Sequence, residues 1–298
     1  MSASTPDRLA VLPQYLLPKQ ALTRFAGVVA RWQGGAVTTA IVRRFIRRYG
    51  VNMAEAAEPD PAAYASFNDF FTRALKPGAR PMADVGTGGL LCPVDGAVSQ
   101  FGRVQGGRIL QAKGQDYTAA TLLGGDAELA ARFDGGHFAT LYLSPRDYHR
   151  IHMPCAGRLR QMVHVPGALF SVNPSTARGV PGLFARNERV VCLFDGEQGP
   201  RVGQGAVGST WALVLVGATI VGSMATTWHG VVNPPRPGTV QRWQYGEQDV
   251  ALPAGAEMGR FLLGSTVVLL FPPGPLRFNP AWAPGAPVLV GEVMATRG

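Results

Sequence analysis

Three short polar segments interrupt the apolar part of this sequence, and each carries residue types that can do chemistry. The first, "CPVDGAV", places Asp95 in a Pro-to-Gly turn. The second, "SPRDYHRIHMP", holds His149 and His152 three residues apart, and the third is the "GST" step that contains Ser265. An acid, a base and a hydroxyl brought into one site would form a nucleophile with its activating groups.

Each segment also has a simpler interpretation when it is taken alone. An aspartate before a glycine is typical of a turn. Two histidines three residues apart fit a surface pair or two ligands of a metal ion. Serine and threonine in a strand can hydrogen-bond to their neighbours, because a buried hydroxyl needs a partner. Any long chain contains all three residue types, so their presence alone does not predict an active site.

The surroundings of Ser265 favour one kind of chemistry. The run "FLLGSTVVLLF", from Phe261 to Phe271, is predicted to be an apolar strand with the serine inside it. It lacks the G-x-S-x-G elbow of a hydrolase, and a buried serine is badly placed to attack an outside substrate. Its hydroxyl can approach the carbonyl of Gly264, which has no Cβ and accepts a strained backbone. The pattern therefore favours a self-processing site.

Residues 1–75 are predicted to form a helical region that either associates with a membrane or docks on the rest of the chain. Four large apolar residues recur at helical spacing: Leu22, Phe25, Val29 and Trp32. A second helix is predicted from Ala36 to about Tyr49, with arginines opposite an apolar stripe. A basic amphipathic helix can lie in a membrane interface, and the alternative is a helix docked on its own domain. Nucleic-acid binding is not predicted, because no recognised reading motif accompanies the charge.

Residues 76–298 are predicted to form a β-rich catalytic domain of short antiparallel strands, which makes the fold class α+β. One helix is expected to interrupt the strands from Ala119 to Phe133. The stretch from Val202 to Pro235 contains no charged residue. Glycines break its apolar part into pieces too short to span a membrane, so two buried strands are predicted there.

The composition narrows the class of protein further. With 46% hydrophobic and 16% charged residues, the 298-residue chain is expected to be globular. Its net charge of +9 favours an anionic partner. No signal peptide is evident. Cys92, Cys155 and Cys192 are odd in number and form no CxxC pair, so we expect buried thiols in a reducing compartment rather than disulfides or a zinc site.

Longer segments carry a resemblance to a known family. They are "PVDG" at 93–96, "YHRIHMP" at 148–154, "SVNPSTARGVPGLFARNERVVCLFD" at 171–195, "VGATIVGSM" at 216–224 and "GRFLLGSTVVLLF" at 259–271. With these segments the chain resembles the bacterial phosphatidylserine decarboxylase proenzymes. The stretch between Gly199 and Val216 is longer than the family pattern, which we interpret as a longer hairpin or loop.

The resemblance implies that the chain cleaves itself between Gly264 and Ser265, giving a large chain, 1–264, and a small chain, 265–298. The Ser265 hydroxyl would attack the Gly264 carbonyl to form an ester. Elimination and hydrolysis would then leave a covalent pyruvoyl group at the new N-terminus, the enzyme's cofactor. Asp95, His152 and Ser265 would act as a charge-relay set, in which Asp95 orients His152 and His152 takes the proton from Ser265.

The resemblance also implies a second reaction. The pyruvoyl ketone would form a Schiff base with the amine of phosphatidylserine, and loss of CO₂ would lead to phosphatidylethanolamine, with the imine serving as an electron sink. His149 would transfer a proton or handle the carboxylate at this stage. The implied partners are phosphatidylserine in an anionic membrane, the two chains of one precursor, and a second copy in a homodimer. The implied location is the cytoplasmic side of the cell membrane, with peripheral attachment and no metal ion.

Three alternatives remain open to the sequence and rank lower. A pyridoxal-phosphate decarboxylase would need a Schiff-base lysine, for which Lys113 is the one candidate in the β-rich part, and no phosphate-binding glycine-rich loop accompanies it. A serine hydrolase would keep an intact chain. A non-enzymatic membrane-binding protein would bind anionic vesicles without cleaving itself.

Overall fold

The structure is a computed structural model that describes residues 11, 14–15, 18–86, 88–112, 114–196, 210–219, 223–263 and 266–297. Helices dominate the N-terminal part and strands the remainder, which confirms the α+β class. The helices are α1 (Lys19–Arg31), α2 (Ala36–Tyr49), α3 (Phe67–Phe71), α4 (Ala119–Leu122), α5 (Ala127–Ala131), α6 (Pro174–Gly179) and α7 (Leu183–Arg186), with 3₁₀ turns at Met53–Glu55 and Pro61–Ala63.

Eighteen named strands follow one another through the described part of the body. They are β1 (Leu90–Leu91), β2 (Gly96–Arg103), β3 (Arg108–Ala112), β4 (Gln115–Thr118), β5 (His137–Tyr142), β6 (Arg150–His152), β7 (Gly157–Val165), β8 (Arg189–Gly196), β9 (Thr210–Val216), β10 (Ser223–Thr226), β11 (Gly230–Asn233), β12 (Gln241–Gln244), β13 (Ala251–Leu252), β14 (Glu257–Leu263), β15 (Thr266–Phe271), β16 (Leu276–Phe278), β17 (Pro287–Val288) and β18 (Val293–Arg297).

A nine-stranded antiparallel sheet forms the centre of the body, in the order β12-β7-β8-β9-β15-β5-β2-β17, with β13 added beside β7. Its central strands are buried on both faces. Successive residues of a strand point to opposite faces, so Leu213 and Leu269 join one hydrophobic core while Val214 and Val268 join a second. Burial on both faces explains why β9 and β15 are continuous apolar runs instead of alternating ones.

Three smaller sheets complete the body. One has four strands in the order β11-β10-β14-β6, one has three in the order β1-β18-β16, and β3 pairs with β4. β14 and β15, which follow one another in the chain, therefore belong to different sheets. The prediction of one apolar strand from Phe261 to Phe271 is wrong, because the run divides into a strand that ends at Leu263 and a strand that begins at Thr266.

The first helix buries the face opposite to the one that periodicity marks. Its large apolar residues are exposed, with Phe25 at 70% and Trp32 at 51%. Thr23 and Ala30 are buried instead, at the i and i+7 positions of a side made of small residues. Small side chains let a helix approach its neighbour closely, so α1 docks through them and turns its large apolar face outward.

The second helix docks in the expected way. Val42 is fully buried, and Phe45 packs edge-on against the rings of Phe67 and Phe70. The helix ends at Gly50, whose left-handed conformation (φ 67°) closes the last turn. The aromatic helix α3 begins in a capping box, in which Ser66 and Asp69 satisfy each other's backbone N–H groups. The sequence predicted the bounds of α2, and they are confirmed.

Two further predictions, one about a helix and one about the cysteines, can be compared with the structure. The single helix predicted from Ala119 to Phe133 is two short helices, because Gly124 and Gly125 adopt positive φ values of 80° and 89° between them. Cys92 and Cys192 are buried free thiols, while Cys155 is only half-buried. The longer stretch expected between Gly199 and Val216 lies mostly in residues 197–209, outside the described residues. Lys113 also lies outside the described residues.

Candidate active site

The strands that follow the "PVDG" turn and the predicted cleavage position, β2 and β15, begin at one edge of the nine-stranded sheet. Ala97 at the start of β2 pairs with Tyr142 at the end of β5, and Tyr142 pairs with Thr266 at the start of β15. Because β5 is antiparallel to both neighbours, β2 and β15 begin at the same edge. Asp95 comes two residues before Ala97. Strands lie ~4.8 Å apart, so the starts of β2 and β15 are separated by roughly 10 Å.

The described strands that flank the predicted cleavage position belong to two different sheets. Gly264 and Ser265 lie outside the described residues, and the register fixes only their neighbours in the sequence. Leu263 pairs with Ser223 in the four-stranded sheet, whereas Thr266 pairs with strands on both sides in the nine-stranded sheet. The described residues on the two sides of the predicted cleavage position therefore belong to different sheets.

His149 lies at the β6–β14 pairing, close to where β14 ends. Its carbonyl oxygen accepts a hydrogen bond from Phe261 N (3.0 Å), and its ring centroid lies 3.9 Å from that of Phe71, with the two rings tilted by 41°. The side chain is 1% exposed. Its Nδ1 donates to the carbonyl oxygen of Asp147 (2.8 Å), because a carbonyl can only accept. In the neutral ring, Nε2 then carries the lone pair that can accept a proton.

His152 lies farther back along the same pairing, opposite Glu257. The positions on β14 that face the two histidines are four residues apart, roughly 14 Å along the strand. Nδ1 of His152 donates to the carbonyl oxygen of Gly255 (2.7 Å), and its Nε2 lies 3.2 Å from the hydroxyl of Tyr148. Burial lowers the pKa of His152 below its ordinary value, an effect that the Gly255 hydrogen bond and the nearby carboxylates oppose.

Asp95 is held by an arginine that the sequence analysis missed. Arg80 Nε donates to both carboxylate oxygens (2.9 and 3.0 Å), Arg80 Nη2 donates at 2.6 Å, and the backbone N–H of Val290 donates at 2.9 Å. The hydrogen bonds that Arg80 donates to Asp95 raise the pKa of Arg80, so the guanidinium stays charged. Arg80 lies in the loop between Pro77 and Pro81, and no pattern in that loop indicates which acid it meets.

The direct contact expected between Asp95 and His152 is not made in this structure. Tyr148 and Gly255 engage the two ring nitrogens of His152, and Arg80 engages the carboxylate of Asp95. The two segments are nevertheless adjacent, because the backbone N–H of His152 donates to the Pro93 carbonyl oxygen at 2.8 Å. No hydrogen bond therefore joins Asp95 to His152, and the nearby charge of Asp95 only opposes the lowering of the His152 pKa that burial causes.

The other partners of the site come from within or beside the quoted segments. Tyr148 is part of "YHRIHMP" and is only 7% exposed. Its position four residues before His152 could have identified it as a partner of that histidine. No sequence pattern indicated the carbonyl of Gly255 as a partner, because Gly255 and His152 are 103 residues apart in the chain. Within the described ranges, no three His, Cys, Asp or Glu side chains come together as a metal site.

None of the described helices combines the length and the apolar character needed to cross a bilayer.

Comparison with known proteins identifies the family. A family model described as phosphatidylserine decarboxylase matches residues 67–296, and a second one, described as PSD, matches residues 9–50. The chain belongs to the phosphatidylserine decarboxylase family, which confirms the resemblance seen in the sequence.

Curated relatives agree over nearly the full length. The phosphatidylserine decarboxylase proenzyme of Verminephrobacter eiseniae is 67% identical, over 98% of this chain and 99% of the relative. The protein of the same name from Chromobacterium violaceum is 66% identical, over 97% of this chain and 99% of the relative. That of Acidovorax ebreus is 67% identical, over 98% of both chains.

Proposed function

We propose that this chain is a self-cleaving decarboxylase that converts phosphatidylserine into phosphatidylethanolamine and CO₂. Cleavage between Gly264 and Ser265 would give chains 1–264 and 265–298, with a pyruvoyl group made from Ser265 at the start of the smaller one. The observation that carries the proposal is that β14, up to Leu263, and β15, from Thr266, belong to different sheets, and that β15 begins at the edge where β2 follows the "PVDG" turn. Family membership over residues 67–296 supports the same activity.

The cleavage step needs a base and a stable negative charge beside it. In the proposal, Ser265 Oγ attacks the Gly264 carbonyl carbon, and His152 accepts the hydroxyl proton. Burial lowers the pKa of His152, so the ring is neutral near pH 7 and able to accept a proton. The carboxylate of Asp95, ion-paired with Arg80, stabilises the imidazolium that forms.

His149 is assigned to the decarboxylation stage. It faces the last part of β14, nearer to residue 264 than His152 does along that strand. Its Nδ1–H is fixed on the Asp147 carbonyl, so Nε2 carries the lone pair for proton transfer in the neutral ring. Burial of this side chain to 1% exposure excludes most water from it.

The surroundings of the cleavage position fit a small polar group. Every residue of β15 is buried, and Oγ1 of Thr266 is buried without a hydrogen-bond partner in the described part of the chain. A pyruvoyl group supplies a ketone that acts as an electron sink when an amine-bearing substrate loses CO₂. The apolar strand disfavours charge, so it favours the loss of a charged carboxylate as a neutral gas.

Peripheral attachment to the cytoplasmic side of the cell membrane completes the proposal, with a homodimer as the assembly. The support lies in α1, where Phe25 and Val28 are 70% and 62% exposed on the outward face. The two helices α1 and α2 also carry exposed arginines, among them Arg24, Arg31 and Arg47. Apolar side chains would enter the acyl boundary while arginines meet anionic head groups, among them the substrate's own.

The first test is intact mass spectrometry of the purified protein beside two serine variants. The wild-type chain and the Ser175→Ala control, changed at a half-buried serine in α6, should each give two chains divided after Gly264. The Ser265→Ala variant should stay whole. Two-chain protein should then release CO₂ from phosphatidylserine vesicles. A single unmodified wild-type chain would remove the pyruvoyl mechanism for this protein.

The two histidine assignments are tested in the same way. His152→Ala should remain uncleaved or cleave at least tenfold more slowly, while His149→Ala should cleave and then fail to release CO₂. The opposite pattern would exchange the two roles.

A further inference from the structure

A cleft of about 290 Å³ lies between the helical layer and the β-rich body, and three arginines and three acids line it. They are Arg73, Arg80, Arg146, Glu55, Asp95 and Asp147. The volume equals that of roughly ten water molecules. Gly50 and Asn52, just after α2, form one end of the cleft, and Gly96 at the start of β2 forms another part of its wall. It therefore connects the helices to the edge of the nine-stranded sheet.

Arg73 is the unusual member of this set. The residue is only 5% exposed. Nη2 donates to the carbonyl oxygen of Arg146 at 3.0 Å, but Nε and Nη1 are buried with no hydrogen-bond partner in the described part of the chain. The guanidinium rests over the ring of Phe70 at 5.4 Å, and burial lowers the pKa of Arg73.

Buried donors that lack partners destabilise a protein, and charged ones do so most. A buried guanidinium with two open donors is therefore best explained by an acceptor that binds there. The planar fork of Arg matches the two oxygens of a carboxylate or phosphate. Arg73 thus has the geometry of an oxyanion-binding residue.

The acids of the cleft do not fill this need. Arg80 engages two of them, with Nη2 at 2.6 Å from Asp95 and 2.8 Å from Glu55. The third, Asp147, accepts from the backbone N–H of Ser144 at 2.6 Å and lies 3.7 Å from Arg146 Nε.

The balance of charge around the cleft indicates the kind of ligand. Arginines and acids are equal in number, so a simple anion would meet three carboxylates as well as three guanidinium groups. A ligand that carries an ammonium together with oxyanions can place each charge near its opposite. An amino-acid head group on a phosphodiester has this combination of charges.

The cleft also lies within reach of the proposed cleavage position. A Cβ built on Gly96 would come 2.2 Å from the Tyr142 carbonyl oxygen, so this wall is packed directly against the end of β5. Tyr142 pairs with Thr266, the residue after Ser265. A head group held beside Gly96 therefore has its amine within roughly two strand spacings, about 10 Å, of the start of β15.

We propose that this cleft binds the phosphoserine head group of the lipid substrate and that Arg73 binds one of its oxyanions. The inference rests on the proposed function and adds the residue that selects the head group. Arg73 acts in binding and takes no part in self-cleavage.

The test compares Arg73→Gln with Arg277→Gln, a control at an exposed arginine on β16. Both variants should cleave themselves as the wild type does. For decarboxylation in mixed micelles, Arg73→Gln should raise the KM for phosphatidylserine at least tenfold, with kcat changed less than threefold. Arg277→Gln should leave both constants unchanged. A wild-type KM in Arg73→Gln would overturn the proposal.

Soluble head groups identify which oxyanion Arg73 binds. Glycerophosphoserine carries a carboxylate and a phosphate, whereas glycerophosphoethanolamine carries the phosphate alone. If Arg73→Gln weakens inhibition by the first compound only, Arg73 binds the carboxylate, and if it weakens both, Arg73 binds the phosphate. Inhibition constants that are unchanged for both compounds would contradict the proposal.

Two further measurements keep the test decisive if Arg73→Gln fails to fold. Arg73→Lys retains the charge and loses the fork, so it should cleave and show a raised KM, and a wild-type KM would overturn the proposal. Calorimetric titration of glycerophosphoserine into the uncleaved Ser265→Ala chain needs no catalysis. Binding there supports the cleft even if the wild-type chain proves inactive, and absence of binding overturns it.

Discussion

Removal of the Arg80 guanidinium tests how strongly the candidate site depends on one buried ion pair. The side chains of Arg80 and Asp95 are 12% and 5% exposed, and Nη2 lies 2.6 Å from the carboxylate. In Arg80→Met, the carboxylate of Asp95 would lose the hydrogen bonds from Arg80. It would keep the one that the backbone N–H of Val290 donates at 2.9 Å. A buried charge would remain without its counter-ion.

The expected loss follows from this burial. Breaking a buried ion pair by removing one partner costs about 3–5 kcal/mol. The second pair, with Glu55, contributes at most about 1 kcal/mol, because Glu55 is 39% exposed. We therefore expect Arg80→Met to lower the free energy of unfolding by about 3–5 kcal/mol. Asp95→Asn removes the uncompensated charge, so the double variant should recover about 2 kcal/mol of that loss.

The assay is urea unfolding of the Ser265→Ala chain, which keeps the protein in one piece, followed by tryptophan fluorescence. Arg80→Met, Asp95→Asn and the double variant complete a thermodynamic cycle. A loss below about 1 kcal/mol with a coupling free energy under about 0.5 kcal/mol would refute the reasoning, because those values are typical of solvated surface pairs.

Three further outcomes are expected. Gly96→Ala should slow self-cleavage at least tenfold, because its Cβ would come 2.2 Å from a β5 carbonyl oxygen. The control Gly274→Ala, which adds a Cβ in open space, should cleave at the normal rate. Equal cleavage rates for the two variants on a gel would contradict this register. Because burial lowers the pKa of His152, the unfolded chain takes up the proton first, so the free energy of unfolding should fall as pH drops below about 6.5. His152→Gln should flatten that decline in urea titrations, and an unchanged slope would assign it to other groups. Phe25→Ser should weaken sedimentation with anionic vesicles roughly tenfold or more. The control Leu110→Ser, at another exposed apolar residue, should sediment as the wild type does. An equal loss in both variants would argue against α1 as the segment that contacts the membrane.

Local patterns predicted the elements well and their partners poorly. The bounds of α2 and the capping box of α3 follow from residues within one or two helical turns. The helix predicted from Ala119 to Phe133 is wrong because two adjacent glycines break it. The face by which α1 docks is a question that the pattern leaves open. Periodicity marks a large apolar side, but whether that side meets the body or the outside depends on surfaces elsewhere in the chain.

The sequence by itself determined the family, the α+β class and the residue types of the candidate site, because these are properties of short segments and their order. Only the tertiary structure decided that β14 and β15 enter different sheets, that Arg80 holds Asp95, and that Arg73 is buried with open donors. The physical reason is that each of these depends on hydrogen bonds, or on their absence, between groups distant along the chain. Strand pairing and burial select those partners after the whole chain has packed, and no local pattern contains them.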